Sequence, residues 1–114
     1  MSTLRVTTLQ NLSGTEVYTA KAWVNFDGTG TVAIRGSGNV SSITDGGTGT
    51  YTVNFTTALS DTNYSAVTTC ENLASFNFMV AQAPTRNTTS VAVDTRNNSA
   101  TLADARAVYV AIFR

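Results

Sequence analysis

The chain has no histidine, one cysteine and one proline, and charged residues make up only 12% of its 114 positions, against ~25% in a typical soluble domain. Each scarcity excludes something. Without histidine, the commonest general base, metal ligand and near-neutral pH switch is missing. With Cys70 alone, an internal disulfide framework is impossible. A thiol with no imidazole to activate it is read as structural rather than nucleophilic. Seven basic residues balance seven acidic ones and are scattered along the chain, so no concentrated positive face exists for nucleic acid. A charge-poor surface of this kind favours self-association.

Long apolar runs are also lacking. The opening "MSTLRVTTLQ" has no signal-peptide core, and the longest apolar run, Ala107 to Phe113, is too short to span a bilayer. The chain is expected to fold in a reducing cytosol, with no membrane insertion. Six Asn-X-Ser/Thr sequons begin at Asn11, Asn39, Asn54, Asn63, Asn87 and Asn97. They follow from composition and carry no argument for glycosylation.

What is present is threonine, serine, asparagine and glycine, together 49 of 114 residues. Threonine suits pleated strands, while the other three supply turns. At 12.0 kDa the chain is one domain, expected to expose roughly 6,000 Å² folded against about 17,400 Å² unfolded. That buries enough for one modest core.

The pattern along the chain is alternation of period two. "STLRVTTLQNLSGTEVYTA" reads as a strand and a turn at Ser13-Gly14, an N-terminal tether over residues 1–19. A β domain follows over residues 20–114. In "AKAWVNF", Ala20, Ala22, Val24 and Phe26 share one face, and Lys21, Trp23 and Asn25 the other. "DGTGT" is a turn in which Gly28 and Gly30 are free to take positive φ. "VAIRGSGNV" is a strand bent or bulged at Gly36 and Gly38.

Val40–Thr44 enters a hairpin through the five-residue loop "DGGTG", and Thr50–Thr57 returns. Tyr51, Val53 and Phe55 face the core there, and Thr52, Asn54 and Thr56 face solvent. Four more strands are expected at Tyr64–Cys70, Phe76–Ala83, Ser90–Arg96 and Ala107–Phe113. Turns at "ENLAS", "PTRNT" and "NNSATLADA" separate them, the last with room for one helical turn. The fold class is therefore all-β, an antiparallel β-sandwich, jelly-roll-like, with a short N-terminal strand or tether.

Two strands are apolar on both faces. "FNFMVAQA" sets Phe76, Phe78 and Val80 against Met79 and Ala81, and "AVYVAIF" sets Val108, Val110 and Ile112 against Tyr109, Ala111 and Phe113. Either both faces lie in a two-layer core, or the second face is a subunit interface carrying Met79, Tyr109, Ala111 and Phe113.

No catalytic constellation is legible. The carboxylates fall one per turn or loop, where aspartate normally serves a side-chain-to-backbone hydrogen bond. "DGTGT" and "DGGTG" lack the acidic oxygens of a calcium loop and the lysine and helix of a phosphate loop. No enzyme activity, cofactor or metal is expected. Trp23, outward between polar neighbours, is a candidate sugar-stacking platform or an anchor buried against a neighbouring subunit. Asp61, Asn63 and Tyr64 in "SDTNY" form a second carbohydrate-like cluster, or a turn whose tyrosine closes the core.

The stretch Ala20 to Val67, with "KAWVNF", "VSSITD-G-TG-YTVNFT" and "D-NY", resembles a module of bacteriophage tail-fibre and related virion structural proteins, common in phages of marine bacteria and cyanobacteria. The leading "STLRVTTLQNLSG" is similar to the segment that often precedes it. The resemblance implies a small β-structured homotrimer, assembled in the host cytoplasm and displayed on the virion. It would contact other virion proteins of tail, baseplate or capsid, and host surface glycan is a further expected partner. It implies no active-site residues. At 114 residues the chain is shorter than a full fibre, so capping a fibre, attaching to a baseplate or decorating a capsid are the expected roles. A capsid-clamping decoration protein and a carbohydrate-binding module using Trp23 or Tyr64 are the alternatives.

Overall fold

The computed structural model describes residues 3, 7–71 and 79–114. Among the described residues there are eight strands: β1 (Ala22–Asp27), β2 (Ala33–Gly38), β3 (Val40–Gly47), β4 (Thr50–Phe55), β5 (Ser65–Glu71), β6 (Met79–Arg86), β7 (Ser90–Asn97) and β8 (Ala107–Phe113). They form two four-stranded sheets with orders β2-β1-β8-β5 and β3-β4-β7-β6, and every pairing is antiparallel. The all-β sandwich read from the alternation is the fold. The chain passes repeatedly between the sheets, while β1–β2, β3–β4 and β6–β7 are local hairpins.

The core is where the two inner faces meet. Ala22, Val24 and Phe26 of β1 and Val108, Val110 and Ile112 of β8 pack against Tyr51, Val53 and Phe55 of β4 and Val91 and Val93 of β7. The alternation in β1 and β4 assigned these faces correctly, because side chains two apart on a strand must share a side. Phe26 and Tyr51 meet edge-to-face at 5.2 Å, and Cys70 packs partly buried against the same core. Burial pushes the Cys70 thiol above its ordinary range.

Bulges adjust the phase. Arg35 is the extra residue where β2 opposes β1, between Gly36 paired with Asn25 and Ile34 paired with Phe26. Ser41 is skipped between Val40 and Ser42 in β3, so Val40 and then Ile43 face inward. The hairpin loop is tighter than the five residues expected, because β3 continues to Gly47 and β4 starts at Thr50. β6 also runs past Pro84 to Arg86, where a turn was expected. Its pairing with β7 slips between Gln82 and Thr85, and a bulge at a sheet edge is where proline's missing N–H is tolerated.

The faces of β6 are also settled. Met79 packs against the core and Ala81 is buried, whereas Val80 is 49% exposed. Phe76–Phe78 and the "ENLAS" turn from Asn72 onward lie outside the described residues.

A buried node joins three distant segments at one end of the sandwich. The Tyr51 hydroxyl lies 2.7 Å from the Gly28 carbonyl oxygen and 3.0 Å from Asp104 Oδ1. The Gly49 N–H donates to the same carboxylate oxygen at 2.8 Å, and the Gly28 N–H donates to the Ala105 carbonyl at 3.0 Å. Gly28 has ordinary φ; its role is space, since a Cβ there would stand 2.5 Å from the Tyr51 hydroxyl. At the opposite corner Asn39, at φ 55°, turns β2 into β3. Its side chain donates to the Lys21 and Thr57 carbonyls and accepts from the Thr57 N–H at 2.7 Å.

Where one helical turn was allowed for, the chain builds a five-residue loop instead. Asn97 Oδ1 accepts from the N–H groups of Ser99 and Thr101, the Asn97 N–H donates to the Thr101 carbonyl and the Ala100 N–H to the Asn97 carbonyl. Ala100 takes φ 62°, and Arg96 pairs with Leu102 across the loop. The N-terminal segment repeats this loop bond for bond. Asn11 Oδ1 accepts from Ser13 and Thr15, the Asn11 N–H donates to Thr15 and the Gly14 N–H to Asn11, Gly14 takes φ 80°, and Gln10 pairs with Glu16. The expected N-terminal strand is therefore, within the described residues, a small hairpin encoded by Asn-X-Ser-(Gly/Ala)-Thr. Residues 7–21 are all exposed, and the molecule measures 48 × 27 × 26 Å.

Tyr51→Phe removes the hydroxyl and leaves buried acceptors under-paired, so it should lower the unfolding free energy by about 1–3 kcal/mol. Urea denaturation followed by circular dichroism checks this, and an unchanged midpoint would show the node to be energetically silent.

Candidate functional site

The second face of β8 is not covered within the chain. Tyr109 and Phe113 are 37% and 40% exposed, so the expectation of a core closed over both faces fails and the outward face is surface. Two transverse rows of paired residues build it. Gly38, Trp23, Ala111 and Val67 lie across β2, β1, β8 and β5, and Gly36, Asn25, Tyr109 and Thr69 form the next row. A shallow groove of about 400 Å³ runs between them, lined by Trp23, Asn25, Val67, Thr69, Tyr109 and Ala111. Trp23 and Val67 are 46% and 57% exposed. Phe113, paired with Ser65, extends the apolar surface beyond the first row.

Trp23 owes its position to two glycines. A Cβ on Gly38 would stand 2.5 Å from the indole Nε1, and one on Gly36 would stand 3.3 Å from Cη2. The indole thus lies over the bare backbone of β2, an aromatic covering a strand glycine. The expected bend at these glycines is present as the adjacent bulge, but their second role, clearing room for Trp23, was not legible without the register.

One end of the face is closed by side chains that neutralise each other. Arg35 reaches the Asn25 side-chain oxygen at 3.3 Å, the Arg106 carbonyl at 2.8 Å and Asp27 at 3.6 Å. Arg106 pairs with Glu71 at 2.8 Å, and the Tyr109 hydroxyl donates to Glu71 at 3.3 Å. The Thr29 hydroxyl, donating at 2.6 Å, is the main reason the Asp27 carboxyl is held below its ordinary value, with the Thr29 N–H and then Arg35 adding to it.

Asp61, Asn63 and Tyr64 do not join this surface, and their groups are committed elsewhere. Asp61 accepts a two-pronged contact from Arg114, at 2.9 and 2.7 Å, and the Asn63 N–H at 2.8 Å. Tyr64 is buried, stacks edge-to-face on Phe55 at 6.2 Å and donates to the Asn87 carbonyl at 2.8 Å. The turn with a core-closing tyrosine is the observed arrangement. Of the residues named for a subunit interface, Tyr109, Ala111 and Phe113 stand on the outward face and Met79 points to the core. Val67 was not singled out, although alternation through Ser65, Val67 and Thr69 places it on that side.

The turn aspartates do what their type suggests. Asp27, Asp45 and Asp61 each accept the N–H two residues on. Among the described residues, no group of three or more Cys, Asp or Glu is placed to hold a metal ion, and no helix is long and apolar enough to cross a membrane. The chain matches no family model, no curated protein and no solved structure.

Two measurements probe this geometry. Gly38→Ala drives a methyl group into the indole, so emission from the single tryptophan should shift to longer wavelength and stability should fall by about 1–3 kcal/mol. Unchanged emission would mean the ring does not rest on β2. The second is pH dependence. The Arg114 guanidinium, foremost, holds the Asp61 carboxyl at about 2 against an ordinary 3.8, and Asp27 is shifted the same way. Folded-state values below the unfolded ones add stability above the ordinary carboxyl range and lose it as pH falls through the folded values. The melting temperature should therefore hold between pH 7 and 5 and drop from about pH 4 toward 2, with a shallower drop in Arg114→Gln.

Proposed function

We propose that the chain is a structural protein of a virion, a tail-fibre-like β-sandwich that assembles as a homotrimer through the outer face of the β2-β1-β8-β5 sheet and serves host attachment or particle architecture. The observation that carries this reading is the uncovered apolar face of Trp23, Val67, Tyr109, Ala111 and Phe113. Four of these five side chains are large and 37–57% exposed, on a chain with few charges to keep copies apart. The resemblance of Ala20 to Val67 to phage virion modules supports the setting. Threefold copies would give avidity to weak distal contacts without tight single-site binding.

The polar neighbours of the groove are few. Sugar recognition needs several aimed hydrogen-bonding groups around its aromatic platform, and Asn25 and Thr69 are the polar residues lining it. Self-association is therefore preferred to glycan binding for this face. The open indole of Trp23 keeps the glycan reading as the second one.

Native mass spectrometry of the purified chain tests the proposal. A species at three times 12.0 kDa is expected at micromolar concentration. A monomer throughout that range would overturn the trimer and move Trp23 to a ligand platform, where Trp23→Ala should abolish glycan binding without unfolding.

A further inference from the structure

The N-terminal hairpin displays apolar side chains that its own chain leaves unused. Leu9 is 44% exposed, Val17 41%, Tyr18 79%, and Leu12 at the loop tip is 109% exposed. Glu16 is the one charged residue between positions 7 and 20. The turn itself does not require a leucine. The same loop at Asn97–Thr101 carries Asn98 at the position of Leu12, the polar residue expected of a tip that faces water. Leu12 thus sits on a scaffold whose other copy shows what a purely structural tip looks like.

From these observations the geometry points to an arm-in-groove contact. The hairpin of residues 9–17 docks, Leu12 foremost, into the Trp23/Val67/Tyr109/Ala111 groove of a second copy of this chain. This rests on the proposed self-association and names what covers the face.

Area favours the arm as occupant over a face laid against a face. Trp23, Tyr109, Phe113 and Val67, 37–57% exposed, offer roughly 300 Å² of apolar surface. A stable interface of ~800 Å² per partner, a little over half of it apolar, needs roughly 450 Å². In a closed ring each chain buries its groove at one contact and its arm, with two leucines, a valine and a tyrosine, at another, roughly 650 Å² of apolar surface per chain over the two contacts, against roughly 300 Å² per chain for a face laid against a face. Each chain holds one knob and one groove, so the contact is head-to-tail, and such contacts close into rings when the rotation allows. The hairpin is also pre-shaped by the Asn11 bonds, which lowers the ordering cost of docking. A two-stranded hairpin is marginal alone in water, so it gains from being covered.

The test uses full-length chains in sedimentation velocity, with circular dichroism confirming the fold of each. Leu12→Asp removes the knob and Val67→Asp blocks the groove, both at exposed positions. Each variant alone should lose association at least tenfold relative to the natural chain, and an equimolar mixture should form a heterodimer, because each variant keeps the half that the other lacks. If Leu12→Asp associates like the natural chain while Val67→Asp does not, the arm is not the occupant and the face reading survives. If Val67→Asp associates unchanged, the face itself is not the contact and both readings fall.

Discussion

The structure depends on where β8 sits. The strand β8 is inserted between β1 and β5, in the middle of its sheet, so it is paired along both edges. Its seven residues are apolar, which suits a central strand but leaves one face to explain. Val108, Val110 and Ile112 close the core against β4 and β7. Tyr109, Ala111 and Phe113 are carried outward by the same pleat and align with Trp23 and Val67. One pairing decision thus builds the core and the candidate interface together, because successive residues of a strand cannot point the same way.

Around that strand the chain spends its polar residues on local geometry. Asparagine and aspartate side chains bond backbone N–H groups two and four residues on, at Asn11, Asp27, Asp45, Asp61 and Asn97. At these five positions the polar side chain shapes a turn or corner of the sandwich. The two Asn-X-Ser-(Gly/Ala)-Thr loops make the point most directly. The backbone solution is shared, and what differs is the residue shown at the tip, Asn98 in one and Leu12 in the other. Where scaffold chemistry is held constant, the displayed side chain is the part free to carry a partner-facing role.

Much of the fold was legible because alternation is a local property. Ala22/Val24/Phe26 and Tyr51/Val53/Phe55 declare their inner faces without reference to any other strand. β6 was not legible for the same reason. Apolar residues occupy both parities of "MVAQA", so period two cannot choose between them, and the pairing of Ala81 with the buried Thr95 makes the choice. Proline at 84 suggested a turn, yet a bulge absorbs it. The carbohydrate-like cluster in "SDTNY" was misleading in composition alone: Arg114, 53 positions from Asp61, occupies the carboxylate, and the core takes Tyr64.

By itself the sequence determined the all-β class, the positions of all eight described strands to within a few residues, the turn chemistry and the outward parity of Trp23, Tyr109 and Phe113. These follow from contacts within a few residues, where side-chain period and turn preference act. Tertiary structure alone decided the strand order, the clearance of Gly36 and Gly38 for the indole, the joining of Tyr51 to Asp104 across 53 positions, and the alignment of three strands into one apolar face. Those features are matters of register between distant segments, and register is set by the packing of the two sheets as a whole.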